Sequence, residues 1–267
     1  MHIHVVRFRR WKEAGLAALL LVLALTYAAL VDNAAVEAFA ASKRELPVYS
    51  VETGKKVVSL TMDTANGKES WPKIFDILDQ YNVKVTFFVT LDWAKDHVEI
   101  IREAVKRGHE VANHSATHPH MSGMAREQVV KELTDTSDFI EKATGTRTML
   151  FRAPYGDYSS QLIKTCRECG YQVVQWDVDS IDWQDPSVDV IVGRINRKVQ
   201  KGSILLFHTN ASQITESLPA VIKSLKAKGY GFVKVSELVL LKDYTIDHTG
   251  RQFPVKADEG INVIQPE

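Results

Sequence analysis

Cysteine is scarce in this chain. Two of its 267 residues are cysteines, Cys166 and Cys169, too few for a disulfide-stapled fold. They lie three apart on an expected helix, and a zinc staple would need two more thiol or imidazole ligands nearby, which the sequence does not offer. Net charge is missing as well: 33 Lys and Arg balance 33 Asp and Glu. A nucleic-acid partner, which requires a basic surface against phosphates, is therefore not expected. Internal repeats and low-complexity tracts are absent too. The remaining composition is that of an ordinary globular protein, long enough for one large α/β domain.

Long apolar runs are confined to the N-terminus. Arg7, Arg9, Arg10 and Lys12 lie in a basic segment, 1–13, that precedes a run without charge, 14–31. That length is near the lower limit for a membrane-spanning helix. Basic residues before the run and Asp32 after it hold the N-terminus in the cytoplasm. The expectation is an uncleaved anchor, single-pass in the cell membrane, with the rest of the chain extracytoplasmic. The alternative is a secreted protein, cut as a signal peptide at the small residues around Ala38 and Ala40. Residues 32–55 are small, polar and weakly periodic and read as a linker.

From residue 56 onward, short apolar runs alternate with amphipathic segments. Strands are expected at 56–63, 83–90, 109–114, 149–154, 172–179 and 203–208, and a last strand with its turn at 231–239. Helices are expected at 70–82, 97–108, 125–145, 159–170, 189–202 and 217–229. Ser70 is the expected cap of the first helix and Pro72 sits in its first turn. Strand–helix alternation of this kind implies parallel strands joined by crossover helices, in a barrel or an open doubly wound sheet. The tail, 242–267, has little periodicity and is expected to lie extended or disordered.

The polar residues that could carry chemistry fall at strand ends. Asp63, His114, Arg152, Asp179, Asp182 and His208 all stand at or just past the C-terminal end of an expected strand, and in parallel α/β folds those ends share the face where sites form. His114 and His118 are four apart. A helical turn capped by Ser115 would bring both to one ion, although such a pair alone is a common accident. His120 follows Pro119 and reads as a substrate-side or solvent residue. Asp63 is a metal ligand, a general base or a simple loop cap. Pro154 and Gly156 force a tight turn that can aim the Tyr155 N–H at a developing oxyanion, and Arg152 could grip a carboxylate through both guanidinium nitrogens. His208, beside an acid, could be protonated near neutral pH. Trp183 and Leu206 could form an apolar slot or could be core.

In order, "TMD", "HSATH", "RAPYG", "DSIDW" and "LLFH" resemble the five motifs of the polysaccharide deacetylases, the NodB homology domain of carbohydrate esterase family 4. The resemblance covers about 56–241. It implies a distorted (β/α)7 barrel, here preceded by an N-terminal transmembrane helix. It implies Asp63 as catalytic base and His114 and His118 as ligands of a divalent metal, most often Zn2+, with Co2+, Ni2+ or Mn2+ as alternatives. Arg152 would hold the base, Tyr155 would give the oxyanion N–H, and Asp182 would tune the general acid His208. Pro154, Trp183 and Leu206 would line the substrate groove.

The implied reaction is removal of N-acetyl groups from the amino sugars of a polysaccharide, with peptidoglycan the preferred substrate and chitin-like oligomers the alternative. The chain departs from the motif in one place. Where the family usually has a second Asp as third metal ligand, Thr64 stands here, and Asn66 is the nearest other oxygen in sequence. Similar departures occur in a subset of the family linked to spores and cell walls. A membrane-tethered glycan-binding or signalling protein with lost catalysis, and a hydrolase of another amide, remain as rival readings.

Overall fold

The computed structural model describes residues 15–16, 18–23, 26–27, 45–65 and 71–255. The chain divides into two units, Met1–Arg44 and Glu45–Glu267. Of the expected anchor, 14–31, the described residues are helical and expose Leu16, Leu19, Leu20, Leu21, Val22 and Leu23; the remainder lies outside the described residues. Among the described residues no helix is long and apolar enough to cross a membrane.

In the second unit, β2 (Val57–Thr64) is the central strand, buried along nearly its whole length, as its near-continuous run of apolar and small residues requires of a parallel strand covered on both faces. It pairs in parallel with β3 (Thr86–Val89) on one side and β8 (Ile204–His208) on the other. Beyond β3 come β4 (Glu110–Asn113), β5 (Leu150–Phe151) and β6 (Gln172–Val173). Beyond β8 comes β7 (Val178–Asp179). The order β6-β5-β4-β3-β2-β8-β7 is parallel throughout, and β9 (Gly231–Phe232) adds to the start of β2. The seven strands make a curled half-barrel of the NodB type, open between β6 and β7.

That opening corrects the expected single strand at 172–179. Its first residues pair with β5 and its last with β8, so one short run serves both ends of the sheet and breaks in the middle. The gap is crossed by a stretch expected to be linker: Val48 bridges Val174 and Ser50 bridges Ser203. β1 (Ser50–Val51) also heads a second sheet, ordered β1-β11-β10, with β10 (Tyr244–Ile246) and β11 (Arg251–Pro254) forming an antiparallel hairpin. The tail, expected to lie extended or disordered, is extended and paired in strands as far as Pro254, and residues 256–267 lie outside the described residues. The hairpin turn needs Gly250. Its φ is +81°, and an added Cβ would come within 2.2 Å of the Tyr49 ring.

The helices pack on the outside of the sheet. α1 (Trp71–Gln80) buries Trp71, Ile74, Phe75 and Leu78, a three-and-four spacing that puts one stripe inward. The expected cap Ser70 lies outside the described residues. α2 (Leu91–Asp96), not anticipated from periodicity because it is barely two turns, is capped by the Thr90 hydroxyl accepting from the Trp93 N–H. α3 (Val98–Lys106), α4 (Arg126–Thr144), α5 (Ser160–Glu168), α6 (Val188–Lys198), α7 (Ile214–Ala227) and α8 (Val235–Leu238) complete the set. Trp71 packs against Phe75, Phe87 and Trp93 with ring centroids 5.1–5.4 Å apart, clamping α1 and α2 to β3. Cys166 is buried in α5, Cys169 follows the helix, and both are free thiols.

Candidate active site

Register places the first two groups. Asp63 pairs with His208, and Thr61 with Leu206, across the β2–β8 ladder. Paired residues of a parallel ladder share a sheet face, so all four point to one side, with Asp63 and His208 at the C-terminal rim and Leu206 beneath, buried. Arg152, just past β5, reaches the same place. Its Nη1 donates to Asp63 Oδ1 at 2.6 Å and to Thr61 Oγ1 at 2.9 Å, and its Nη2 donates to the Gln175 carbonyl at 3.1 Å. The guanidinium is fully buried and lies 4.0 Å from the Phe88 ring centre. Contrary to the two-nitrogen grip expected, a single guanidinium nitrogen meets Asp63: Nη1 is shared between Asp63 and Thr61, Nη2 goes to the Gln175 carbonyl, and Nε is buried without a partner among the described residues. Asp63 itself is buried, which pushes its carboxyl up, but the charges of Arg152, His114 and His208 outweigh that and hold it below the ordinary carboxylate value.

His208 is gripped by Asp182. Asp182 Oδ1 lies 2.8 Å from His208 Nδ1, and Oδ2 accepts the His208 backbone N–H, also at 2.8 Å. Asp182 is fully buried, in a short 3-10 turn (Asp182–Gln184) bounded by Ile181 and Asp185, both in the left-handed region. The Ile181 N–H donates to Asp179 Oδ1 at 2.7 Å, so Asp179 shapes the turn that presents Asp182. Burial opposes charge on His208, yet the Asp182 hydrogen bond and charge, joined by Asp63 and Asp179, raise its pKa above the usual imidazole value.

The two other histidines are set the opposite way. His114 Nδ1 donates to the Arg152 carbonyl at 2.8 Å, which leaves Nε2 unprotonated and 3.5 Å from Asp63 Oδ2. The His114 and His118 rings stand 4.9 Å apart. Burial lowers the pKa of both, His118 to about 4, where the neighbouring His114 adds to the effect. The loop between them is not the helical turn expected. Ser115 and His118 both take left-handed φ, 72° and 58°. Ser115 does cap the bend, its hydroxyl accepting the His118 N–H at 3.1 Å. Glu132 on α4 then fixes the loop by accepting the Ala116 and Thr117 N–H groups and the Thr117 hydroxyl.

Two aromatic residues are displayed at the rim. Tyr155, at φ 59°, is 61% exposed, and Trp183 is 59% exposed. Pro154 is buried and shapes the Tyr155 turn, where Gly156 N–H and Asp157 N–H are taken by the Ala153 and Pro154 carbonyls.

The donors near His114 and His118 do not complete a metal site. Thr64 is buried and its hydroxyl accepts from the Thr209 hydroxyl at 3.1 Å. Asp63 is engaged by Arg152, and Asn66 lies outside the described residues. Among the described residues, no group of three or more His, Cys, Asp or Glu could hold a metal ion. Without a carboxylate, the two imidazoles alone fall one ligand short of the three protein ligands usual for a catalytic zinc, and a hydroxyl is a weak substitute.

Sequence reasoning missed four supporting residues: Thr61, Gln175, Glu132 and Asn113, whose Oδ1 accepts the Ser115 N–H at 2.8 Å. Thr61 had a signal, since it lies two residues before Asp63 and so on the same face. Asn113 had one too, since its contact runs to the N–H two residues on; Gln175 and Glu132 meet the site only through tertiary folding.

The family model for polysaccharide deacetylase matches residues 50–174. A peptidoglycan-N-acetylglucosamine deacetylase of Bacillus cereus is 32% identical over 73% of this chain and 93% of its own length. The uncharacterized protein YlxY of Bacillus subtilis is 34% identical over 72% of this chain, and the match spans 60% of that relative. Among solved structures, the wild-type CE4 family pseudoenzyme BA3943 of Bacillus anthracis superposes with a TM-score of 0.69 at 34% identity, covering 78% of this chain and 73% of that one.

Proposed function

The chain belongs to the polysaccharide deacetylase family, and on that premise we propose that it hydrolyses N-acetyl groups on the amino sugars of a polysaccharide, peptidoglycan by preference. One observation carries the reading. Asp63 and His208 face each other across paired strands with their pKa values moved in opposite directions, the carboxylate toward ionised and the imidazole toward protonated. A base and an acid so separated are what amide hydrolysis requires.

In this mechanism Asp63 takes a proton from the attacking water as its oxygen bonds to the acetamide carbon. Arg152 keeps Asp63 ionised and aimed. The Tyr155 N–H receives the negative charge that develops on the carbonyl oxygen, a contribution worth about 3–4 kcal/mol where such donors have been removed. His208, held by Asp182, gives its proton to the sugar nitrogen as the C–N bond breaks, because an amide anion is too basic to leave. Acetate and a free amine result. Trp183 and Leu206 border the acetyl group. His114 and His118 present neutral imidazole nitrogens to the same space, but their donor set is incomplete and no step is assigned to a bound ion. The charge pattern of 1–31 supports an anchored, extracytoplasmic enzyme that meets the wall.

The test is acetate release from N-acetylated peptidoglycan fragments and from chitooligosaccharides by the full chain, with Asp63→Asn as control. Acetate from the wild type and not from the variant supports the proposal; none from either refutes it. A second reading, glycan binding without turnover, is favoured by the Thr64–Thr209 hydroxyl pair standing where the family has a carboxylate. Glycan binding without acetate release would establish it.

A further inference from the structure

A row of side chains outside the Asp63–His208 pair has no part in the proton transfers: His118, Tyr155, His120 and Asp157. The Tyr155 ring lies 4.5 Å from the His118 ring, edge-on, and 4.3 Å from the His120 ring, stacked at 20°. His120 Nδ1 faces Asp157 Oδ2 at 3.4 Å. Asp157 Oδ2 is itself fixed, accepting from the Ser122 hydroxyl at 2.9 Å and the Ser122 N–H at 3.3 Å.

Burial does not account for this order. The His120 side chain is 73% exposed. Tyr155 is also mostly in solvent, on a backbone conformation that bulky residues rarely adopt. Holding an exposed imidazole at both its face and its Nδ1 removes rotamer freedom without hydrophobic return. Strained, pre-ordered display of this kind is characteristic of surfaces that meet a ligand. The row begins at His118, whose ring is 4.9 Å from His114, so it starts at the centre and runs outward along the rim.

We propose that the Tyr155–His120 stack is a sugar platform that takes the pyranose ring adjoining the one whose N-acetyl group reacts. The chemistry matches. A pyranose presents an apolar C–H face suited to an aromatic surface, with hydroxyls around its edge. His120 gives the outer aromatic face, and Tyr155, stacked against its other face, holds that ring in place. With Nδ1 turned to Asp157, His120 keeps Nε2 for a sugar hydroxyl. The platform selects oligomers over single sugars, since only a chain occupies the reacting position and its neighbour together. This inference rests on the deacetylase reading of the centre, but its test does not need turnover.

Binding of tetra-N-acetylchitotetraose and of N-acetylglucosamine to the full chain is measured by calorimetry in an Asp63→Asn background, with acetate release by the wild type recorded separately. His120→Ala is expected to weaken tetramer binding about tenfold and single-sugar binding less than about twofold, and His120→Phe, which keeps the ring, to recover most of the loss. Should His120→Ala fail to fold, Tyr155→Gly, which suits the left-handed backbone, replaces it with the same expectation. Equal weakening of both sugars, no weakening, or no tetramer binding by the parent overturns the platform. Absence of acetate release with the tetramer effect intact overturns only the deacetylase reading.

Discussion

The two sides of the candidate site use the same residue type in opposite states. On the β8 side, His208 has a buried carboxylate on its Nδ1 and is pushed toward the charged form. On the β4 side, His114 has a backbone carbonyl in that position, and burial pushes both His114 and His118 toward the neutral form. The partner on Nδ1 decides the role. A carboxylate makes a proton donor, and a carbonyl in a dry setting makes a neutral nitrogen ligand. On the β8 side both oxygens of Asp182 are engaged by His208. The β4 side has its imidazoles in place and lacks a third strong ligand.

Substitutions can break this contrast, beginning with the largest expected effect. Removing the acid or the base, by His208→Ala or Asp63→Asn, is expected to lower the rate of acetate release by about 10²–10⁴. Asn is chosen at 63 because its amide oxygen still accepts from Arg152, which Ala would not; both variants remove the counter-charge of the buried guanidinium and are expected to lower stability. An unchanged rate in either variant would remove that residue from the mechanism. Next in size, Thr64→Asp is expected to complete the β4 side. Zinc or cobalt affinity, read by calorimetry, should rise at least about tenfold, and acetate release should rise with it. No gain in affinity would mean that His114 and His118 do not share an ion. The smallest effect belongs to the loop anchor. Glu132→Gln weakens three hydrogen bonds to the 116–117 segment and should cost about 1–2 kcal/mol in chemical denaturation. It should also loosen metal binding in the Thr64→Asp background without altering the pH dependence set by His208.

The sequence showed the strand ends well, but not the order in which the strands pair. Asp63, His114, Arg152 and His208 each sit within a residue of a strand terminus, so local patterning was enough to put them on one rim. What escaped was long-range. The β1–β11 pairing joins Ser50 to Arg251 through strands of two and four residues, too short to carry a period-two signal. The break between β6 and β7 depends on which neighbour each end of 172–179 finds. Glu132 reaches its loop from the middle of a nineteen-residue helix whose sequence reads as an ordinary solvated face. The Arg152 contacts to Thr61 and the Gln175 carbonyl join strands far apart in the chain, which no motif encodes.

The contrast between the two sides is tested most directly by the pH dependence of acetate release, wild type against Asp182→Asn. With Asp63 held below the usual carboxylate range, the wild-type rate should fall on the acid side only under strongly acidic conditions. On the alkaline side it should fall as pH rises through the raised His208 pKa, because the proton donor is then lost. Replacing Asp182 removes the carboxylate that supports the charged imidazole, so the alkaline limb should move to lower pH while the acid limb stays. An alkaline limb that stays in place, or moves upward, would contradict the assignment of His208 as the acid.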